Sequence, residues 1–572
     1  MSRLLGSTAA GGPAVELDGR VYNRAQLGPE TDDAALVERL AAERGLADAL
    51  AALNGDVAVA VREPDGAVAL ARDRFGVRPL YYARTAAGWA YASQPGPLLE
   101  LPGVDARPDP NWVARFAGSH YRTIDDDPGA SPYLGVAQVP PAHVVRLRTG
   151  EEPRVEPYWR LEFEPDETGS ESELAERYRE LLLDAVAIRL RAFARPAFTL
   201  SGGMDSSSVV ACAALAAGSG RTAFSTVYDD ATYDESGDIG PMLGGPVADW
   251  RPVRVGTPDV LELVEEMVAL HDEPVATATW LSHHVLAGEV AAAGFDGLFG
   301  GLGGDELNAG EYEYFPFHFA DLRAAGREQE LAHEIGCWAS HHDHPVFRKD
   351  RAVAEDALAR LVDLSQPGRI LPDRARILRY ARALAPEYRA ELDRFEPSLP
   401  SPSSSYLKNR AWQDLTRETL PCCLRAEDRQ TAHRGLANVL PFLDHRLVEL
   451  MFRVPGPLKI RDGITKRLLR EATREILPEE TRTRIAKTGW NAPAHVWFSG
   501  RDREPLLDLI RSQSFRERGI YDVAEVERLA DEHEAIVASG DPRENHMMFL
   551  WQLVNLELWL KAPRTLGTMA RP

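Results

Sequence analysis

PAFTLSGGMDSSSVVACAALAA (196–217) reads as a strand, a Gly-rich turn and a helix in direct succession. In the turn, Gly202 and Gly203 allow a tight backbone course that presents N–H groups to an anion. The helix that follows adds the partial positive charge of its amino end, so the segment is a candidate phosphate cradle. It is not a Walker loop, because the GxxxxGK[ST] spacing and its lysine are missing. Asp205 inside such a cradle would repel phosphate unless a divalent cation stood between them, which implies Mg²⁺. The blander alternative is a strand-to-helix turn whose Ser and Asp side chains only cap the helix.

Outward from this stretch the texture repeats. RTAFSTVY (221–228) reads as a second strand, and GFDGLFGGLGGDE (294–306) as a third strand ending in a Gly-rich loop. Strands alternating with helical stretches predict a doubly wound parallel sheet whose ligands sit at the carboxyl ends of the strands. Gly303 and Gly304 would then deliver Asp305 to the same sheet edge as Asp205, where two carboxylates can share one metal. A Gly-rich turn with a solvated Asp-Glu pair is the alternative for this loop alone. SELAERYRELLLDAVAIRLRAF (172–193) repeats apolar residues at three and four and predicts an amphipathic helix. Beyond about residue 320 the pattern is almost wholly helical, interrupted by the Pro/Ser loop SLPSPSSSY (398–406).

The amino half differs. VAVAVREPDGAVALARD places alternating apolar residues around Pro64-Asp65-Gly66, a hairpin signature, and PLYYAR (79–84) and HVVRLRTG (143–150) continue it. This half reads as a β-rich sandwich. The acidic stretch EFEPDETGSESE (162–173) reads as a linker between separately packed cores. The expected division is therefore 1–160, a linker at 161–173, and 174–572, in an α/β multidomain chain.

Composition bounds the function. The 572 residues exceed the usual domain of about 150, so at least two cores are expected. With 44% hydrophobic and 27% charged residues the chain has globular composition. A net charge of −22 repels a phosphate backbone and argues against nucleic-acid partners, so any anionic ligand must be held locally. Four cysteines, Cys212, Cys337, Cys422 and Cys423, cannot form a disulfide scaffold, and a reducing cytoplasm fits. The apolar run VVACAALAA (209–217) is half of the roughly 20 residues a bilayer helix needs, so no membrane association is expected. The opening residues lack the sustained apolar region of a secretory signal.

With SGGMDSS and GGLGGDE in place, PFLDHRLVELMFRVP (441–455) and TKRLLREATREILPEETRTRIAKTGWNAP (465–493) complete, in the same order, a resemblance to the synthetase domain of the asparagine synthetase family. LDGRVYNRAQL (17–27), NGDVAVAV and LARDRFGVRPLYY (70–82) are similar to that family's glutaminase domain, of the Ntn type. The resemblance covers nearly the whole chain. It implies a degenerate glutaminase-like domain followed by an ATP pyrophosphatase domain. Such a domain lets a carboxylate attack the α-phosphate of ATP, and an amine then displaces AMP to form an amide.

The resemblance also implies roles for residues. Ser201, Ser206 and the backbone of Gly202 and Gly203 would hold pyrophosphate. Asp205 and Asp305 would carry Mg²⁺. Leu200 and Val227 would contact adenosine through their backbones, and Gly300 and Gly301 would line the nucleotide. Lys487 matches the lysine that relatives aim at the adenylate, beside the aligned Trp490 and Pro493. Asp205, Asp305 and Lys487 are thus the expected catalytic set.

Departures from the family pattern narrow the substrate. A glutamine-hydrolysing member carries a cysteine after the initiator methionine, whereas Ser2 stands here and the first cysteine is Cys212. Glutaminase activity is therefore not expected, and the amine would belong to the substrate itself, as in β-lactam synthetases and lasso peptide cyclases. Three residues before Asp305, where the β-lactam branch has a catalytic Tyr and many asparagine synthetases a Glu, stands Leu302, which can accept no proton. The following GGDELNAGEYEYF resembles the lasso cyclases most. Its aromatic residues Tyr312, Tyr314, Phe315, Phe317 and Phe319 suit either a peptide groove or a core.

His283 and SHHDHP (340–345) are open as base or metal ligands, with ordinary surface as the alternative, and Asp229, Asp230, Asp234 and Glu235 read as a solvated face. Ala437 stands where the family's LExRxPFLD has Glu. The expectation is an ATP-dependent macrolactam synthetase. It would act on an Asp or Glu side chain and the amino-terminal amine of a precursor peptide, with a leader peptidase and a leader-binding protein as partners. The alternatives are a β-lactam-forming or ammonia-dependent synthetase, and a catalytically silent peptide-binding scaffold.

Overall fold

The protein is described by a computed structural model covering residues 4–9, 12–30, 32–230, 232–256, 259–341, 349–485, 492–500, 503–540 and 544–562. Among these residues the amino-terminal part contains two antiparallel sheets. One orders β1 (Leu5–Ser7), β6 (Gly88–Ala92), β5 (Tyr81–Thr85) and β7 (Val136–Gln138). The other orders β2 (Val15–Val21), β3 (Gly55–Arg62), β4 (Val68–Arg72), β8 (His143–Leu147) and β9 (Arg154–Pro157).

The β3–β4 hairpin turns at Gly66, whose φ of 86° lies in the left-handed region. Alternation along β3 and β4 is sandwiched twice. Ala58, Ala60, Val68 and Leu70 face the core shared with the second sheet. Val57, Val59, Ala69 and Ala71 pack with Leu36, Val37 and Leu40 of the helix Asp33–Arg44. The sandwich thus carries a helical layer that the strand pattern alone does not reveal.

The second part is built on a parallel sheet, ordered β12 (Val247–Arg254), β11 (Arg221–Val227), β10 (Pro196–Thr199), β13 (Gly297–Phe299) and β14 (Ala437–Val439). The chain runs from β10 outward through β11 and β12, then returns to the other side of β10. The order reverses between β10 and β13, and the loops that leave these two strands flank the switch point where α/β sheets bind ligands. The apolar run after β10 lies in the helix Met204–Ala217, buried against the sheet. No helix among the described residues is long and apolar enough to cross a membrane.

The expected linker is not a free tether between separate cores. Leu161 and Phe163 are buried, and the Phe163 ring meets Trp412 and Phe452 edge-on at 5.6 Å. Lys408 donates to the Phe163 carbonyl at 3.0 Å and pairs with Asp166. Two buried apolar residues and these polar contacts together anchor it. Outside the linker, Phe75 and Val77 join the main core of the second part, and Trp112 and Phe116 pack in one cluster with Trp551 and Trp559 of the helix Met547–Lys561.

Ion pairs cross the same boundary. Arg78 and Asp428 meet at 2.7 Å, both essentially inaccessible to water. Asp444 of the PFLD motif accepts from Arg189 at 3.0 Å and from Asn54 at 2.8 Å. Burial opposes its ionisation, yet Arg189 and Arg446 hold its carboxyl below the usual range. That motif therefore fastens the two parts together.

Candidate active site

The loop after β10 is held in shape by its own serines. Ser201 N–H donates to Ser206 Oγ at 3.1 Å, the two hydroxyls lie 3.1 Å apart, and Gly203 N–H donates to Ser201 Oγ at 3.3 Å. Gly202, at φ 71°, makes the turn, and Gly203 caps the helix Met204–Ala217 without a side-chain hydrogen bond. An uncapped helix start of this length presents N–H donors to an anion. Asp205 stands in the first turn of that helix, and Asp305 in the first turn of the short helix Gly304–Asn308. The two loops touch directly, since a Cβ on Gly304 would lie 2.5 Å from Asp205 Oδ1. A side chain at this position would have to displace the Asp205 carboxylate.

Between the two carboxylates lies Lys466. Its Nζ is 2.7 Å from Asp305 Oδ1 and pairs also with Asp205 Oδ2, with the lysine side chain only 6% exposed. Lys466 takes a left-handed φ of 57° just before the helix Arg467–Ala472. A donor set in which one cation reaches two carboxylates from separate loops suits the oxygen chemistry of Mg²⁺. Arg470 and Arg484 stand near it. Arg484 donates to the Gly202 carbonyl at 2.9 Å and pairs with Asp238. Burial and the neighbouring Arg482 lower the Arg470 guanidinium to about 10, still charged at neutral pH.

These residues line a cavity of about 220 Å³. Leu200, Ser201, Gly203, Asp205, Ser206, Gly301 and Asp305 all border it, as do Lys466, Arg470 and Arg484. Gly202, Val227 and Gly300 belong to the same segments without bordering it, while Thr226 and Tyr228 on either side of Val227 do. The Leu200 N–H is engaged by Phe224 O at 2.9 Å and its carbonyl by Ser225 Oγ at 2.5 Å.

Glu427, on the helix Leu420–His433, also borders the cavity. Burial pushes its carboxyl up to about 7, and its Oε2 has no hydrogen-bond partner among the described residues. Leu302 borders the same cavity and offers no proton acceptor, whereas the carboxyl groups of Glu427 and Glu235 border it too. Glu306 is also raised, to about 8, by burial and then by Asp305, but it does not border the cavity.

The Glu427 helix is held from the amino-terminal part at three points: Arg78 to Asp428, Tyr81 to Arg429 at 2.6 Å, and Asp125 to Arg425 at 2.7 Å. Neither Lys466 nor Glu427 stood out in the sequence. Lys466 lies in the TKRLLRE run, which carries no Gly loop like those around Asp205 and Asp305, and Glu427 sits in an ordinary helical segment.

Several readings left open by the sequence are decided by the structure. Tyr314, Phe315, Phe317 and Phe319 are buried in the main core, where Phe319 meets Trp338 at 5.7 Å, so they form no peptide groove. His283 is buried, 2.6 Å from Gln430 Oε1, lowered to about 4 by burial, and does not border the cavity. Within the acidic run Glu235 does border it, whereas Asp229 is exposed and paired with Arg254. Ala437 is fully buried in β14, where a Glu would have no room in water. Ser2, Lys487, Trp490 and the 342–345 part of SHHDHP lie outside the described residues.

Fold and site together define a two-part α/β ligase, with a nucleotide-type parallel sheet joined to an amidotransferase-like sandwich. The chain belongs to the asparagine synthase family, whose profile matches residues 177–561, and a glutamine amidotransferase domain matches residues 8–159. It is an ATP-dependent ligase that forms carbon–nitrogen bonds by asparagine synthase-type amide synthesis.

Among its relatives is the protein named Amidase chyE of Penicillium rubens, 26% identical over 89% of this chain and 80% of that protein. Asparagine synthetase [glutamine-hydrolyzing] 3 of Bacillus subtilis is also 26% identical, over 75% of this chain and 66% of its own length. A solved glutamine phosphoribosylpyrophosphate amidotransferase from B. subtilis, 15% identical over 38% of this chain and 46% of its own, aligns at a TM-score of 0.18, too low to carry an argument.

Proposed function

We propose that this chain is an AMP-forming macrolactam synthetase acting on a precursor peptide. An oxygen of an Asp or Glu side chain attacks the α-phosphorus of ATP. One P–O bond forms, the bond to the β-phosphate bridge breaks, and pyrophosphate leaves. The peptide's amino-terminal nitrogen then attacks the acyl carbon, the C–N bond forms, and the C–O bond to AMP breaks. Glu427 takes the proton that the amine loses.

This chain's own groups have distinct tasks. Ser201, Ser206 and the backbone of the first loop receive the pyrophosphate oxygens. Lys466, Arg470 and Arg484 neutralise charge as it leaves, and Lys487 would add to them. Asp205 and Asp305 would hold Mg²⁺, which when bound supplies further charge neutralisation on the phosphates. Tethering amine and acyl group in one peptide provides proximity without a captured ammonia molecule.

The observation that carries this reading is Glu427. A buried carboxyl near neutrality, on the cavity bordered by the loop residues, is the acceptor an amine nucleophile requires. The lasso-type reading of the substrate rests on the GGDELNAGEYEYF resemblance. A leader peptidase and a leader-binding protein are the proposed partners, in the cytoplasm where four free thiols persist.

The test incubates the full chain with ATP, Mg²⁺ and candidate precursor peptides, and measures AMP, pyrophosphate and loss of one water from the peptide. ADP in place of AMP would sink the mechanism. Amide formation from aspartate and ammonium, with no cyclised peptide, would replace the macrolactam reading by an asparagine-type one. No AMP with any carboxylate would favour a silent scaffold.

A further inference from the structure

On the face of the synthetase part, the helix Glu328–Ser340 sets His333 and Cys337 four residues apart, which places them on one side of the helix. Against that side lies a tight turn, closed by the pairing of Arg461 with Ile464, in which Asp462 (φ 56°) and Gly463 (φ 68°) are both left-handed. The turn is fastened to the helix. The buried carboxylate of Glu334 accepts from Asp462 N–H at 2.8 Å and from Gly463 N–H at 3.0 Å. A Cβ on Gly463 would fall 2.7 Å from the Cys337 carbonyl carbon, so only glycine allows the turn to sit this close.

The result is a juxtaposition of three metal-type donors. His333 Nε2 is 2.8 Å from Asp462 Oδ1 and 3.6 Å from Cys337 Sγ, and ligand atoms of all three residues lie within 4.8 Å of one another. His341, one residue past the helix, brings its Nε2 to 3.1 Å from the Asp462 carbonyl oxygen. Zinc bonds of about 2.0–2.3 Å in a tetrahedron separate ligand atoms by roughly 3.3–3.8 Å, a spread these groups reach with small side-chain rotations. A thiol with imidazole favours zinc over the hard cations that suit Asp205 and Asp305.

We infer that His333, Cys337 and Asp462 form a zinc site, separate from the nucleotide cavity. Its ligands clasp the turn to the helix Glu328–Ser340, and that turn leads within four residues to Lys466. Zinc there would brace the segment that brings the lysine to Asp205 and Asp305. The inference does not depend on the proposed reaction. Zinc binding releases the thiol proton, which desolvation and then Glu334 and Asp462 make harder to lose in the metal-free protein.

The test uses the full chain, reduced and freed of metal by a chelator, titrated with Zn²⁺ against a chromophoric competitor. The expected result is one zinc per chain, with affinity reduced at least about tenfold in Cys337→Ser and in His333→Ala, since changing even outer partners of a metal site costs about that much. Co²⁺ in place of Zn²⁺ should give a thiolate charge-transfer band that Cys337→Ser abolishes. Asp205→Ala should bind zinc like the wild type, which separates this site from the nucleotide cavity. Both His333 and Asp462 are exposed, so unchanged thermal midpoints in zinc-free buffer check the variants' folding. Absence of stoichiometric binding at micromolar zinc, or wild-type affinity in both ligand variants, overturns the site.

Discussion

Lys466 Nζ lies 2.7 Å from Asp305 Oδ1 while also pairing with Asp205, so a single ammonium ties together the loops that leave two adjacent parallel strands. The lysine comes from far along the chain, and its left-handed backbone is what aims it back at the sheet edge. An acidic protein thereby keeps a cationic floor under its nucleotide cavity.

Lys466→Met leaves two carboxylates facing one another without their shared cation. AMP formation should fall by at least about 100-fold, the scale of losing one aimed stabilising group. Asp205→Ala and Asp305→Ala should likewise abolish AMP formation, measured as carboxylate-dependent pyrophosphate release. Full activity in either Asp variant would remove the metal assignment.

Glu427→Gln should separate the two half-reactions. Pyrophosphate exchange, which reports adenylation, should persist, while amide formation should fall by about 10²–10⁴. In the wild type the amine step should rise with pH through about 7, because the carboxylate form is the acceptor, and this limb should vanish in the variant. Equal loss of both half-reactions would move Glu427 out of the acceptor role.

The same carboxyl makes a prediction about stability. Its folded pKa is raised by burial to about 7, above the roughly 4.3 of an unfolded glutamate. The stabilising contribution of the neutral form is therefore complete below the unfolded value and lost as pH rises through 7. Gln, neutral throughout, should raise the thermal midpoint relative to wild type at pH 8 and leave it nearly unchanged near pH 4.

Arg78→Met removes one partner of the buried pair that holds the Glu427 helix. Breaking such a pair costs about 3–5 kcal/mol, so the thermal midpoint should drop by several degrees. Amide formation should fall with it, because the amino-terminal part positions Glu427 through that helix. A variant with unchanged midpoint and rate would show that the contact does neither.

Glutamine should not serve as nitrogen donor. The first cysteine, Cys212, is fully buried and its thiol is pushed up to about 12 by burial, which leaves almost no thiolate at neutral pH. Glutamate release from glutamine, assayed with and without ATP, should stay at background.

Much of the parallel domain was legible in the sequence because its signals are local. A strand, a Gly turn and a helix in succession predict β10, the Ser201–Ser206 loop and the helix after it, and the second loop repeats the pattern. The aromatic run left two readings open, since Tyr314 to Phe319 carry the same residues whether they line a groove or fill a core, and burial decides for the core. The stretch 161–173 is a related case. Its charge reads as solvated, while Leu161 and Phe163 are buried and Asp166 and Glu167 pair with Lys408 and Arg453. Glu427 was invisible because nothing in its helix differs from any amphipathic segment. Its altered acidity comes from neighbours distant in the chain.

By itself, the sequence determined the two-part organisation, the order of the loops and the residue types placed at each strand end, since turn chemistry and periodicity are properties of short segments. Tertiary structure alone decided which charges meet: Lys466 between Asp205 and Asp305, Arg78 on Asp428, Glu427 dry at the cavity, and His333 with Cys337 against Asp462. Electrostatic character depends on burial and on distances of a few ångströms between residues far apart in the chain, and only the packed fold sets both.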